Sequence, residues 1–126
     1  YLISHKLSQI SSERRVAIEK INGKIVETED LKNTIKDLDI LYVTRIQKER
    51  FEDEKEYEVV SNKYQINKNL LQGAKKDLSI MHPLPRIDEI DIEVDSLPQA
   101  KYFIQAQNSL FIRMALLKLL TDKKYR

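Results

Sequence analysis

The chain has 126 residues, 41% of them apolar and 33% charged, the balance of one globular domain rather than of a disordered segment. Its formal charge is 22 − 20 = +2 with the two signs interleaved, so the sequence signals no basic face for nucleic acid. Two glycines, no cysteine and two histidines exclude Gly-rich nucleotide cradles, thiol nucleophiles, disulfide frameworks and Cys/His zinc sites.

Tyr1-Leu2-Ile3 opens the chain as a strand-length apolar run. A helix is expected to start near Ser11 or Ser12 as N-cap, to bury Val16, Ala17 and Ile21, and to stop with Gly23 in the C′ position. Lys24-Ile25-Val26 reads as a second strand, and Leu31, Ile35 and Leu38 stand at the spacing of a second helix. A third strand, Ile40-Leu41-Tyr42-Val43, precedes a mostly charged helix from about Glu54 to Tyr64 whose apolar contacts are Tyr57, Val59 and Val60. A short helix from Asn67 to Ala74 leads into a fourth strand at Leu78-Ser79-Ile80-Met81. Ile90, Ile92 and Val94 then alternate with Asp91, Glu93 and Asp95, the pattern of a half-buried extended piece. Strands alternating with helices predict an α/β fold in which a parallel sheet carries helices on both faces.

The last element differs from the others. From about Pro98 to Leu120 apolar side chains, among them Tyr102, Phe103, Ala106, Leu110, Phe111, Met114, Leu117 and Leu120, sit all round a helix, and such a helix wants packing on two sides. Its most apolar stretch, Leu110 to Leu120, is broken by Arg113 and Lys118 and falls short of the about 20 apolar residues of a membrane span. One partner could be the sheet; the second is expected to be another domain or another chain.

Ligands of parallel α/β sheets bind outside the carboxyl ends of the strands, and two segments lie there. Thr44-Arg45-Ile46-Gln47-Lys48-Glu49-Arg50 follows the third strand with three cations and an amide. An arginine fork suits a carboxylate or phosphate, and Glu49, four residues after Arg45, is placed to hold that fork; a solvated loop with a local ion pair is the plain alternative. His82-Pro83-Leu84-Pro85-Arg86 follows the fourth strand. Its prolines remove backbone donors and leave carbonyl oxygens free to accept from a ligand amine or amide, with Leu84-Pro85 a candidate cis bond; a simple strand terminator is the alternative. A lone histidine such as His82 is more often a structural hydrogen-bonder than a base. Asp91, Glu93 and Asp95 have calcium-loop spacing, but Ser96 stands where the turn glycine belongs and Tyr102 where the bidentate glutamate belongs. No G-x-S-x-G elbow accompanies His82, and Glu52 to Glu58 reads as a solvated charge run.

Taken together the segments are specific. Ile40 to Phe51 (ILYVTRIQKERF), His82 to Ile90 (HPLPRIDEI) and Ala100 to Ala106 (AKYFIQA) closely resemble, in order and spacing, the C-terminal half of aspartate carbamoyltransferase catalytic chains. The resemblance covers essentially the whole chain and is weakest in the first 35 residues or so. It implies transfer of the carbamoyl group of carbamoyl phosphate to the amine of L-aspartate in pyrimidine biosynthesis, chemistry that needs positioning and oxyanion stabilisation but no metal or other cofactor. It implies that Arg45 grips an aspartate carboxylate, that Gln47 orients the same substrate and that Glu49 braces Arg45. The carbonyls of Pro83 and Leu84 are implied to accept from substrate nitrogens, with Pro85 following a cis bond that aims them. Arg50 resembles the residue that pairs across the two domains on closure, and Glu56 and Tyr57 match positions on the mobile loop and helix, Lys48 to Tyr64. Sister enzymes that use ornithine carry cysteine where Pro83 stands, so aspartate is the favoured acceptor. Ser109 departs from the usual glycine of the final helix but touches no substrate position.

The family's carbamoyl-phosphate domain has no counterpart in these residues, and the chain opens on Tyr1 without an initiator methionine or signal-peptide pattern. The expectation is a split half or fragment: residues 1–97 as a partial aspartate-binding domain, and 98–126 as a helix returning to the absent domain. Implied partners are the N-terminal half of the catalytic chain and a homotrimer of such chains in the cytoplasm, with regulatory chains left open and neither nucleic acid nor membrane involved. A non-catalytic structural or regulatory relative is the main alternative, and a stand-alone anion-binding module the weaker one.

Overall fold

The computed structural model describes residues 1–6, 9–21 and 23–122, with Arg50 described by its backbone alone. β1, Leu2–Ile3, pairs in parallel with β2, Glu27–Thr28, with Leu2 opposite Glu27. β2 therefore lies beyond the expected Lys24-Ile25-Val26. The N–H groups of Leu2 and Ser4 donate to the carbonyls of Val26 (2.8 Å) and Thr28 (3.2 Å), so the ladder and not the β-branched composition sets the strand's limits.

α1, Ser12–Lys20, starts where expected, with the Ser11 hydroxyl accepting from the Arg14 N–H at 3.4 Å. The expected burial of Val16, Ala17 and Ile21 is not found: no residue of α1 is buried, and Ile21 is 78% exposed. Charged residues surround the apolar ones in SERRVAIEK, so no continuous apolar stripe forms. The helix caps at Ile21, which puts Gly23 one position past C′; its N–H reaches back to the Ile18 carbonyl at 3.1 Å. A Cβ at Gly23 would come within 2.6 Å of Ile18 Cγ2, which is why glycine stands there.

α2, Leu31–Thr34, is capped by the Asp30 carboxylate on the Asn33 N–H (3.0 Å) and continues as a 3-10 turn, Ile35–Asp37. Leu31, Ile35 and Leu38 are all buried, as their spacing requires. β3, Ile40–Tyr42, and β4, Ser79–Met81, pair in parallel with Leu41 opposite Ile80. The fold is thus α/β with parallel strands, although the described residues form two separate parallel pairs rather than one sheet. The second edge of β4 is also occupied: the Ile80 N–H donates to the Gln99 carbonyl (2.8 Å), and the Ile80 carbonyl accepts from the Lys101 N–H (2.9 Å).

α3, Glu54–Lys63, and α4, Lys68–Leu71, cover the span between β3 and β4, capped by Asp53 and Asn67. On α3 Val60 is buried while its neighbour Val59 is 69% exposed, because consecutive helical residues do not share a face. The segment from Asp91 is not extended. It folds as a 3-10 turn, Ile92–Ser96, with the Asp91 carboxylate accepting from the Glu93 N–H at 2.9 Å. The turn sends Ile92 outward and keeps Val94 in the core, where an extended chain would hold both on one face. α5, Tyr102–Thr121, buries Tyr102 alone and leaves Phe111, Met114 and Leu117 exposed. No helix of the described residues is long and apolar enough to cross a membrane.

Ile35, Leu41, Ile66, Leu78, Ile80, Ile90, Val94 and Tyr102 form one core against the β3–β4 pair. Ile80→Ala, at a fully buried centre of that core, should cost about 2–5 kcal/mol in urea unfolding, whereas Val16→Ala on the exposed α1 should stay within about 0.5 kcal/mol. Equal costs at the two positions would refute this account of where the stability lies.

Candidate active-site cleft

Parallel pairing delivers two chain segments to the same end of the β3–β4 pair. The last rung is the Val43 N–H on the Met81 carbonyl at 2.8 Å, after which residues 44–47 and 82–85 line one cleft of about 1280 Å³. That volume also takes in residues from the N-terminal segment, and the two strand ends form the part that concerns chemistry.

On the β3 side the chain turns through a 3-10 segment, Lys48–Arg50, which brings Glu49 back to Arg45. Arg45 Nη2 donates to Glu49 Oε1 at 2.9 Å, with both side chains more than half exposed. One guanidinium nitrogen is held by the carboxylate, and the remaining donors stay available on the cleft wall.

On the β4 side the expected turn forms with a cis Leu84-Pro85 bond, and Leu84 has φ of 52°. His82 organises it. The ring is buried, with 1% of the side chain exposed, and both nitrogens are engaged. Nδ1 accepts from the Leu84 N–H at 2.8 Å, so the ring proton resides on Nε2, which donates to Glu89 Oε1 at 2.6 Å. Glu89 Oε2 accepts from the N–H groups of Ile87 and Asp88, each at 3.1 Å. Burial alone would push the Glu89 carboxyl up; the backbone N–H groups and His82 outweigh it and hold the group below its ordinary value. Among the described residues no hydrogen bond ends on the carbonyls of Pro83 or Leu84, which therefore keep their lone pairs for a ligand.

The base of the turn is tied to α5. The His82 N–H donates to Gln105 Oε1 at 3.1 Å, and Gln105 Nε2 reaches the Tyr42 hydroxyl at 3.4 Å, so one side chain spans the ends of both strands. Arg86 does not line the cleft. Its guanidinium meets both oxygens of Asp95, with Nη2 to Oδ2 at 2.7 Å, and Nη1 donates to the buried Tyr102 hydroxyl at 3.0 Å. The Arg86 hydrogen bond is the main cause that holds the Asp95 carboxyl low. Burial, followed by the hydrogen bond to Asp95, pushes the Tyr102 phenol up to about 12.

Comparison with known proteins shows the family of the chain. Residues 4–120 match the family described as "Aspartate/ornithine carbamoyltransferase, Asp/Orn binding domain". The chain belongs to this family. It is 46% identical over 125 residues to the aspartate carbamoyltransferase catalytic subunit of Hyperthermus butylicus, covering 98% of this chain and 40% of that one. The structure superposes on the catalytic subunit of M. jannaschii aspartate transcarbamoylase with a TM-score of 0.88 and 45% identity, again over 98% of this chain and 40% of that one. An aspartate transcarbamoylase from Trypanosoma cruzi, solved in complex with N-(phosphonacetyl)-L-aspartic acid, gives a TM-score of 0.80 at 32% identity over 92% of this chain and 38% of that one. The chain thus spans less than half the length of the carbamoyltransferase chains it matches.

Of the residues singled out in the sequence, Arg45, Gln47, Pro83, Leu84 and Pro85 meet on the cleft, and Glu49 stands behind Arg45. Glu56 and Tyr57 lie on α3 outside it; the Tyr57 ring packs edge-on against Phe51 at 5.8 Å, and Lys48 Nζ sits 5.7 Å from its centroid. The Arg50 side chain lies outside the described residues. Sequence reasoning missed Glu89 and Gln105 as supports of the turn. Glu89 offered one signal, an acid next to the core residue Ile90, seven positions from a histidine with no other evident partner.

The raised Tyr102 value fixes a pH window. A group that releases its proton later in the folded state contributes stability that is complete below pH 10.0 and is lost as pH rises to about 12. Tyr102→Phe should be less stable than the unchanged chain at pH 8, by about 1–3 kcal/mol for a buried hydroxyl pair broken. The gap in urea midpoint should narrow between pH 10 and 12. A gap that stays constant across this range would contradict the assignment.

Proposed function

We propose that this chain forms the L-aspartate-binding part of a catalytic chain that transfers the carbamoyl group of carbamoyl phosphate to the amine of L-aspartate. The observation that carries the reading is the convergence on one cleft of Arg45, ordered by Glu49, with Gln47 and two carbonyls that accept from no donor among the described residues. The relatives agree in kind, among them a T. cruzi enzyme solved with carbamoyl phosphate.

Each part of the substrate pair finds the group its chemistry requires. The Arg45 fork takes a carboxylate of aspartate, and Gln47 supplies an amide donor to the same molecule. The Pro83 and Leu84 carbonyls accept from the aspartate amine and the carbamoyl NH2. So held, the unprotonated amine attacks the carbamoyl carbon, and a C–N bond forms as the C=O pair moves onto oxygen. When that pair returns, the C–O bond to phosphate breaks. Phosphate leaves with the bonding electrons, and the amine's proton passes to it. The residues of this chain contribute orientation, the part of catalysis that makes a bimolecular step effectively unimolecular. Donors for the carbamoyl oxygen and the phosphate belong to the N-terminal half that we take as its partner. An ornithine side chain would instead bring its ammonium towards the Arg45 guanidinium, and the like charges repel.

In this reading residues 1–97 are a partial aspartate-binding domain and 98–126 the helix that packs on the carbamoyl-phosphate domain. Arg50, Glu56 and Tyr57 serve closure between the domains. The assembly is a cytoplasmic homotrimer of catalytic chains, with regulatory chains left open.

The test is to purify the chain with the remaining N-terminal part of the H. butylicus subunit and assay carbamoyl aspartate. Arg45→Ala should weaken aspartate use by at least about tenfold, the loss of a charged contact worth about 1.5–3 kcal/mol. Glu49→Ala should do less, because it frees the fork rather than removing it. Unchanged aspartate dependence in Arg45→Ala would remove its gripping role. Intact assembly without turnover in the unchanged protein would favour a structural relative.

A further inference from the structure

Leu84 is the one non-glycine residue with positive φ among the described residues, at 52°. A γ-branched L-residue in the left-handed region is strained and persists only where the surroundings over-determine it. The Leu84 N–H is held at 2.8 Å by His82 Nδ1, two residues back, in the manner of an Asx turn with imidazole as the acceptor.

That bond determines more than one torsion. The Pro83–Leu84 peptide is planar and is not among the cis bonds, so its N–H and C=O point in opposite directions. A Leu84 N–H pinned on the imidazole therefore sends the Pro83 carbonyl away from His82. The same carbonyl accepts from no described residue.

Only one form of the ring does this. A proton on Nδ1, in the other neutral tautomer or the cation, would set N–H against N–H. Glu89 selects the right form from the far side by accepting the Nε2 proton at 2.6 Å, while Ile87 and Asp88 fix the second carboxylate oxygen. The ring has no lone pair left for a substrate and is almost wholly buried, so it has no part as a general base.

We propose that His82, tautomer-locked by Glu89, is a positioning residue that aims the Pro83 carbonyl at the substrate nitrogens; this rests on the carbamoyl-transfer reading. The first test needs only the chain itself. In 15N NMR, His82 is expected to be the neutral Nε2–H tautomer, with a through-hydrogen-bond coupling between the Leu84 amide and His82 Nδ1. A proton found on Nδ1 would overturn the proposal regardless of any activity.

The second test uses the chain completed by the N-terminal part of a relative. His82→Ala and His82→Gln should lower kcat of the order of 10- to 100-fold with the aspartate KM little changed, as a misdirected contact does. Gln reaches towards Glu89 but lacks an acceptor near Leu84. His82→Asn restores an acceptor at that distance from the backbone and should recover most of the lost kcat. Equal kcat in the Asn and Gln variants, or losses confined to thermal stability, would reduce His82 to a structural residue and overturn the proposal. No carbamoyl transfer in the unchanged completed enzyme would overturn the functional reading, and the positioning role with it, whatever the NMR result.

Discussion

The parallel register of β3 against β4 is the constraint from which the site follows. With Leu41 opposite Ile80 and the Val43 N–H on the Met81 carbonyl, both strands end at the same level. Arg45 and Pro83 then stand equally far past their last rung. An antiparallel pair would send the two continuations to opposite ends of the sheet, so a cation from one and carbonyls from the other would never face one ligand. The registry is held by burial, because slipping one strand by one residue would put its buried side chain, Leu41 or Ile80, on the exposed face.

A second layer of contacts fastens the β4 turn to the helix that follows. Arg86, Asp95 and Tyr102 close a compact polar triangle at the start of α5, and Gln105, one turn further on, holds the His82 N–H. Such a partly buried ion pair offers little net stability over an apolar replacement, but breaking it from one side leaves an uncompensated charge. Its role here is geometric: the planar arginine fork admits one orientation of Asp95, and the Tyr102 hydroxyl fixes it against the helix. The turn is thus anchored at its base by a guanidinium and at its apex by an imidazole.

What was legible in the sequence follows the range of the interactions. The Arg45–Glu49 pair was readable because it is local, four residues along one segment, and the proline turn because proline acts on its own backbone. Ser11 and Gly23 marked the limits of α1 for the same reason. The errors arose where distant partners decide. α1 has apolar residues but no stripe, the β2 ladder is placed by carbonyls that meet Leu2 and Ser4, and the Ile92 alternation gave way to an Asp91-capped turn. Gln105 was invisible as a support, and Glu89 was signalled only by its place beside Ile90, because their partners lie 23 and seven residues away through a turn whose path no periodicity encodes.

Lining one wall of a cleft with backbone carbonyls has its own logic. A carbonyl carries no charge to titrate and no side chain to adopt another rotamer, so its direction is set wholly by the turn that presents it. Proline on either side removes donors that would otherwise satisfy those oxygens, and the free lone pairs discriminate in favour of N–H groups on the ligand. The cost of the device is that a turn with few internal bonds must be held from outside. His82 and Glu89, both buried, and the half-buried Gln105 do so in a network whose members all find partners, the condition under which buried polar groups rigidify a site instead of weakening it. Arg45 needs no such frame: it stays solvated and is steered by one neighbouring carboxylate. The two walls of the cleft therefore divide the task, with an adaptable charge on the β3 side and a rigid row of acceptors on the β4 side.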